Sequence, residues 1–169
     1  AMQADNIILI GMPASGKSTA GVLLAKTLGY NFVDCDLLIQ GRENALLCDI
    51  IAEKGAEEFL RIEEEVNASL SVHKTVVATG GSVVYGERAM RHLRGIGTVV
   101  YLKVAESALE GRLQNIFRRG VVMRKKGETV AELYAERAPL YEKYAHITVD
   151  CTGQTVEQTV RAVCEALRA

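Results

Sequence analysis

The 169-residue sequence lacks most features that would commit it to a membrane, a metal cluster or a polyanion. Its longest apolar runs, such as Ile7 to Ile10 and Thr98 to Leu102, fall far short of the roughly 20 residues that span a bilayer, so no membrane-spanning helix is expected. The four cysteines, Cys35, Cys48, Cys151 and Cys164, form no C-x-x-C pair, and the three histidines do not cluster beside them. That argues against a zinc site or a disulfide framework. Charge of one sign is also missing: 20 Lys and Arg balance 21 Asp and Glu, leaving a net charge of −1 and no field to hold a nucleic acid or an anionic membrane. Only two prolines occur, and no basic stretch followed by an apolar one opens the chain, so a reducing cytoplasm is the expected compartment. What is present describes an ordinary folded domain. Apolar residues make up 49% and charged residues 24%, with a mean hydropathy of +0.09, enough for one core and too little chain for two. A single domain over 1–169 is expected.

Apolar runs bounded by turn residues alternate with stretches of helical period, the pattern of β-α-β units and a parallel sheet. Strands are predicted at Asn6 to Ile10, Asn31 to Asp34, Thr75 to Thr79, Gly97 to Val104 and His146 to Asp150. Helices are predicted at Lys17 to Leu28, Ala45 to Lys54, Ala56 to Ser71, Glu87 to Arg94, Glu106 to Phe117, Thr129 to Ala145 and about Thr155 to Leu167. No repeat or low-complexity tract interrupts them, so the expected class is α/β with helices on both faces of the sheet. One stretch departs from the neutral average. Between Gly111 and Gly127 stand six basic residues, Arg112, Arg118, Arg119, Arg124, Lys125 and Lys126, and no acid. Alone, such a cluster is a solvated loop; beside an anion it becomes a clamp.

An anion site is specified nearby. Gly11-Met12-Pro13-Ala14-Ser15-Gly16-Lys17-Ser18 fits G-x-x-x-x-G-K-[ST] and lies between a predicted strand and a predicted helix, as the mechanism of that motif requires. Gly11 and Gly16 permit backbone angles that let successive N–H groups point inward at a phosphate. The helix opening at Lys17 adds its positive end. Lys17 can reach between β- and γ-phosphates, and the Ser18 hydroxyl can take one position on Mg²⁺. No N-K-x-D tetrapeptide is present to read guanine, and the third strand ends in Thr79-Gly80-Gly81 where many mechanical ATPases place an acid. The acids come instead from the second strand, in Val33-Asp34-Cys35-Asp36. Spaced i, i+2, both carboxylates leave a strand on one side; one can assist hydrated Mg²⁺ while the other binds an acceptor hydroxyl. Alternatively, Asp36 caps the helix that follows.

With these motifs in order, the sequence resembles the shikimate kinase family over nearly its whole length. The resemblance is carried by Gly11 to Thr19, the Asp34-x-Asp36 pair, Glu57-Glu58-Phe59-Leu60-Arg61-Ile62-Glu63-Glu64-Glu65, Ala78-Thr79-Gly80-Gly81 and Arg137-Ala138-Pro139-Leu140-Tyr141. It implies a three-layer P-loop kinase fold, a five-stranded parallel sheet in the order 2-3-1-4-5, a mobile lid over about 112–127, and ATP-dependent transfer to the 3-hydroxyl of shikimate. It also implies roles. Lys17, Asp36 and Arg119 would be catalytic; Gly11, Ala14, Ser15, Gly16, Lys17, Ser18, Thr19, Arg112, Arg119 and Gln154 would bind ATP. Ser18 and Asp34 would serve Mg²⁺. Asp36, Leu60, Gly80, Gly81, Ser82 and Arg137 would face the acceptor, with Arg137 gripping its carboxylate. The expected partner is thus a small hydroxyl-bearing molecule, with no nucleic acid or membrane, and the expected state is a monomer.

Three positions differ from the family pattern. Leu60 stands where an arginine normally binds the substrate carboxylate, Ser82 replaces the third glycine of a triplet, and Gly120-Val121-Val122 follows Arg119 where Pro-Leu-Leu is usual. Losing one charged partner of a desolvated carboxylate costs about 2 to 5 kcal/mol, so weakened shikimate binding is expected unless another base compensates. A kinase of the same plan acting on another small polyol or hydroxy acid stays open, as does a regulatory module that binds ATP without turnover. For any kinase reading, Lys17→Ala is expected to abolish phosphoryl transfer, read as loss of acceptor-dependent ADP release.

Overall fold

In a computed structural model, residues 5–110, 112, 121 and 128–169 are described. Five strands, β1 (Asn6–Ile10), β2 (Asn31–Asp34), β3 (Thr75–Ala78), β4 (Gly97–Lys103) and β5 (Ile147–Asp150), form one sheet in the order β2-β3-β1-β4-β5. Every pairing is parallel. The strand positions follow from burial. β1 is the middle strand, and all five of its residues, Asn-Ile-Ile-Leu-Ile, are buried, as a strand covered on both faces requires. β5, at an edge, buries only Val149 fully.

The helices are α1 (Lys17–Leu28), α2 (Cys35–Glu43), α3 (Leu47–Lys54), α4 (Ala56–Ala68), α5 (Glu87–Ile96), a helical turn over 106–110 (α6), α7 (Val130–Tyr144) and α8 (Val156–Arg168), with a short 3₁₀ turn at Val83–Tyr85. α1 and α8 pack together on one side of the sheet; α4 and α5 pair on the other, where α5 and α7 meet β4. The main core lies between them. A second, smaller apolar cluster, Ile39, Ile50, Phe59, Ile62 and Val66, joins α2, α3 and α4 beside the sheet. Among the described residues no helix is long and apolar enough to cross a membrane.

The strands fall within one residue of their predicted bounds, but α2 was not expected. Asp34 ends β2 and caps this helix, accepting from the N–H groups of Asp36 (2.9 Å) and Leu37 (3.4 Å). Leu37 and Leu38 face solvent at 63% and 40% exposure, and these two outward leucines blur the amphipathic period that would have marked it. Asn44, in the left-handed region at φ 51°, ends α2 and separates it from α3, where a single helix from Ala45 was expected. The predicted lid falls almost wholly outside the described residues, and Arg119 with it.

The sheet is keyed at its N-terminal edge by Asn6, which is 3% exposed. Its Nδ2 donates to the carbonyls of Val72 and Ile96 (2.9 Å each), and its Oδ1 accepts from the N–H of Thr75 (3.1 Å). One amide therefore satisfies backbone groups leading to both neighbours of β1. Asn6→Ala would leave them unpaired, and a loss of about 2 to 4 kcal/mol in unfolding free energy is expected from urea denaturation.

Candidate functional site

The parallel order brings the C-terminal ends of β1, β2 and β3 together, so the loops after them share one cavity. The first loop, residues 11–16, winds from β1 into α1. Gly16, the N-cap of α1, adopts φ 88°, and Gly11 lies so close to β4 that a Cβ would sit 2.7 Å from the Leu102 carbonyl oxygen. Neither position tolerates a side chain without strain or displacement. Lys17 is 8% exposed and folds over this loop, its Nζ donating to the carbonyls of Gly11 (2.7 Å) and Met12 (2.9 Å). Burial lowers its pKa to about 8; Asp36 opposes that shift and Arg137 adds to it. The loop is a cradle of backbone dipoles with one cation at its floor, suited to a polyphosphate.

At the mouth of the cradle, Ser18 donates from Oγ to Asp34 Oδ2 (2.9 Å). Because the hydroxyl donates its hydrogen bond to the carboxylate, its lone pairs remain free for a cation. A hydroxyl beside a carboxylate supplies hard oxygen donors of the kind Mg²⁺ takes while keeping most of its waters. Among the described residues, no group of three His, Cys, Asp or Glu could form a protein-only metal cage. The residues present thus fit a metal shared with a phosphate ligand.

The other end of the cavity collects charge around Gly80. A Cβ built there would stand 2.5 Å from Glu63 Oε2 and 2.8 Å from Asp36 Oδ1, so both carboxylates converge on that backbone position. Asp36 comes from the first turn of α2, not from a strand as the i, i+2 spacing suggested, and Asp34 rather than Asp36 caps that helix. Burial, then repulsion from Asp34, raises the Asp36 pKa to about 6, with Lys17 pulling the other way. Glu63, on α4 and 2% exposed, is raised to about 7 by burial, partly offset by a hydrogen bond from Ser82 (2.6 Å). Arg137, 1% exposed on α7, completes the set. Its Nη1 lies 3.1 Å from where a Gly81 Cβ would be, its Nε donates to Tyr85 Oη (3.3 Å), and its guanidinium lies over the Tyr85 ring. Tyr141, one helical turn on, donates to the Gly81 carbonyl (2.5 Å) and ties α7 to this loop.

Most residues singled out from sequence line this one cavity: Ala14, Gly16, Lys17, Ser18, Thr19, Asp36, Gly80, Gly81, Ser82 and Arg137. Ser15 lies within the cradle, buried, with its N–H on the Met12 carbonyl. Arg112 reaches the cradle from outside, Nη1 donating to the Ala14 carbonyl at 3.4 Å. Gln154 occupies the turn after β5 and accepts from Thr159, away from the cavity lining. Leu60 does not line the cavity either. It packs against the small apolar cluster, although it was expected to face the acceptor. Arg61 is engaged on the surface with Glu58 and Glu65. Glu63 and Tyr141 are site residues that sequence reasoning passed over. Glu63 lies one turn from Phe59, on the buried face with Ile62 and Val66, and an acid on an apolar face was the available signal.

The shikimate kinase family model matches residues 13–168. A shikimate kinase of Chlorobium chlorochromatii is 40% identical over 176 residues, covering 96% of this chain and 92% of its own. One of Mycobacterium avium is 40% identical over 170 residues, covering 98% and 95%. Among solved structures, shikimate kinase from Acinetobacter baumannii in complex with shikimate superposes with a TM-score of 0.89 at 27% identity, covering 98% of this chain and 94% of that one. The Aquifex aeolicus shikimate kinase gives 0.83 at 30% identity, covering 96% of each.

The raised carboxylate has a cost that can be measured. Because Asp36 titrates near 6 in the fold against an ordinary 3.8, folding takes up a proton between those values, and stability falls as pH rises through that window. Asp36→Asn mimics the protonated form. It is expected to raise unfolding free energy at pH 8 by about 1 to 3 kcal/mol, the gain shrinking as pH approaches 4, in urea denaturation across that range.

Proposed function

The chain belongs to the shikimate kinase family, a family of small-molecule kinases that use ATP as phosphoryl donor, and from that premise we propose that it phosphorylates shikimate, producing shikimate 3-phosphate and ADP. The observation that carries the reading is the juxtaposition, in one cavity, of the Lys17 cradle with Asp36, Glu63 and Arg137 around Gly80 and Gly81. A polyphosphate needs the first group and a hydroxylated carboxylate needs the second. We read the chain as a single domain over 1–169 acting as a monomer in the cytoplasm.

The cradle amides and Lys17 bind the β- and γ-phosphates, and their fixed dipoles stabilise charge as it develops on the transferring group. Ser18, with Asp34 beside it, would hold Mg²⁺, which would supply neutralisation of phosphate charge. Arg137 holds the substrate carboxylate, supported by the Tyr85 ring and hydroxyl. Asp36 accepts the hydrogen bond of the reacting hydroxyl. That hydroxyl oxygen forms the new bond to the γ-phosphorus, the bond to the β-γ bridging oxygen breaks, ADP leaves, and the hydroxyl proton passes to the Asp36 carboxylate. With a pKa near 6, Asp36 is ionised at neutral pH and still basic enough to assist. Arg119, outside the described residues, is assigned to the transferring phosphoryl group on the strength of the sequence alone.

The experiment is acceptor-dependent ADP formation with Mg-ATP, run with shikimate and with a panel of polyols and hydroxy acids. Shikimate is expected to support turnover and to appear as a phosphate monoester in ³¹P NMR. Turnover with another polyol and none with shikimate would overturn the acceptor assignment. Arg137→Lys, which keeps the charge and loses the forked guanidinium, is expected to raise KM for shikimate by about ten-fold or more while leaving KM for ATP unchanged.

A further inference from the structure

We infer that Ser82 and Glu63 form a positioning pair for the acceptor: the Ser82 hydroxyl holds one oxygen of Glu63 so that the other receives a second hydroxyl of the substrate, which is thus gripped between two carboxylates. This deepens the acceptor assignment made above and rests on it. The carrying observation is an unanswered acceptor. Glu63 Oε1 accepts from Ser82 at 2.6 Å, whereas Glu63 Oε2 is buried with no hydrogen-bond partner among the described residues. A buried carboxylate oxygen without a donor is costly, and fixing its fellow oxygen through Ser82 prevents it from turning elsewhere.

The free oxygen is aimed. It and Asp36 Oδ1 both close on the Gly80 backbone, 2.5 and 2.8 Å from where a Cβ would stand, an approach only glycine permits, and both residues line the cavity. A ligand that puts one hydroxyl on Asp36 therefore presents its neighbouring substituent to Glu63. A hydroxyl suits this place better than a further cation, because Lys17 and Arg137 already oppose the two carboxylates charge for charge. The ligand class is a vicinal diol or a polyhydroxylated ring bearing one carboxylate. Leu60 packs into the small apolar cluster and takes no part in this arrangement, whose only side-chain hydrogen bond to the Glu63 carboxylate among the described residues comes from Ser82.

The groups facing Glu63 are Asp36 and Cys35 from α2, Lys17 from the cradle, and Arg137 and Tyr141 from α7. Burial and Asp36 favour protonated Glu63; Ser82, Arg137 and Lys17 favour its ionised, accepting form. Removing the Ser82 hydroxyl thus extends the protonated range to higher pH.

The test is steady-state kinetics on the full chain with shikimate. Ser82→Ala and Ser82→Gly are each expected to raise KM for shikimate about ten-fold, to leave KM for ATP unchanged, and to move the acid limb of kcat/KM for shikimate to higher pH. In a Glu63→Gln background the same Ser82→Ala change is expected to alter KM by less than about two-fold, because its effect runs through the carboxylate. An unchanged KM and acid limb in both Ser82 variants, or an equal rise with and without Glu63, would overturn the inference. Absence of shikimate turnover by the unaltered protein is a different result, and contradicts the acceptor assignment itself.

Discussion

The site depends on four charged side chains, Lys17, Asp36, Glu63 and Arg137, drawn out of water around one stretch of backbone at Gly80 and Gly81. Any of them buried alone would be prohibitively costly in a medium of low dielectric. Together they sum to zero when ionised, and their pKa shifts record the compromise. Lys17 falls and the two acids rise, so that for these three desolvation wins over mutual attraction while leaving ionised forms accessible near neutrality. A set poised in this way can hold a carboxylate, take a proton and steady a phosphoryl group without large rearrangement.

Topology makes the compromise possible. With β3 between β2 and β1, the loop after β3 comes to rest between the nucleotide cradle and the start of α2. α4 lies against α5 and the 3₁₀ turn, and its buried face brings Glu63 to Ser82, while α7 reaches the same turn with Arg137 and Tyr141. Close approach then demands the glycines, because a Cβ at Gly80 would displace both acids and one at Gly81 would strike Pro13. The small α2–α3–α4 cluster acts as a separate buttress for the acceptor side, contributing Phe59 and Leu47 to the cavity wall.

How much of this could be read from sequence follows from the kind of signal each part leaves. Fully buried parallel strands are short apolar runs bounded by turns, so β1 and β2 were legible to the residue, and the cradle was legible because its spacing encodes a backbone geometry. α2 was not, since two exposed leucines flatten its pattern, and the origin of Asp36 on a helix went with it. Glu63 was hidden because a buried acid on an apolar helix face looks like any other glutamate in a run of three. Leu60 shows the opposite problem. Its departure from the family pattern was readable, but a second apolar cluster to receive it was visible only in three dimensions.

The most direct measurement is a crystal structure of the protein with ADP, Mg²⁺ and shikimate. The expected result is a shikimate ring above Gly80 with its carboxylate on Arg137 and one hydroxyl within hydrogen-bond distance of Asp36, facing the Lys17 cradle. A ring bound elsewhere, or turned so that its carboxylate meets Asp36 and Glu63, would contradict the convergence of those four charges on a phosphoryl acceptor.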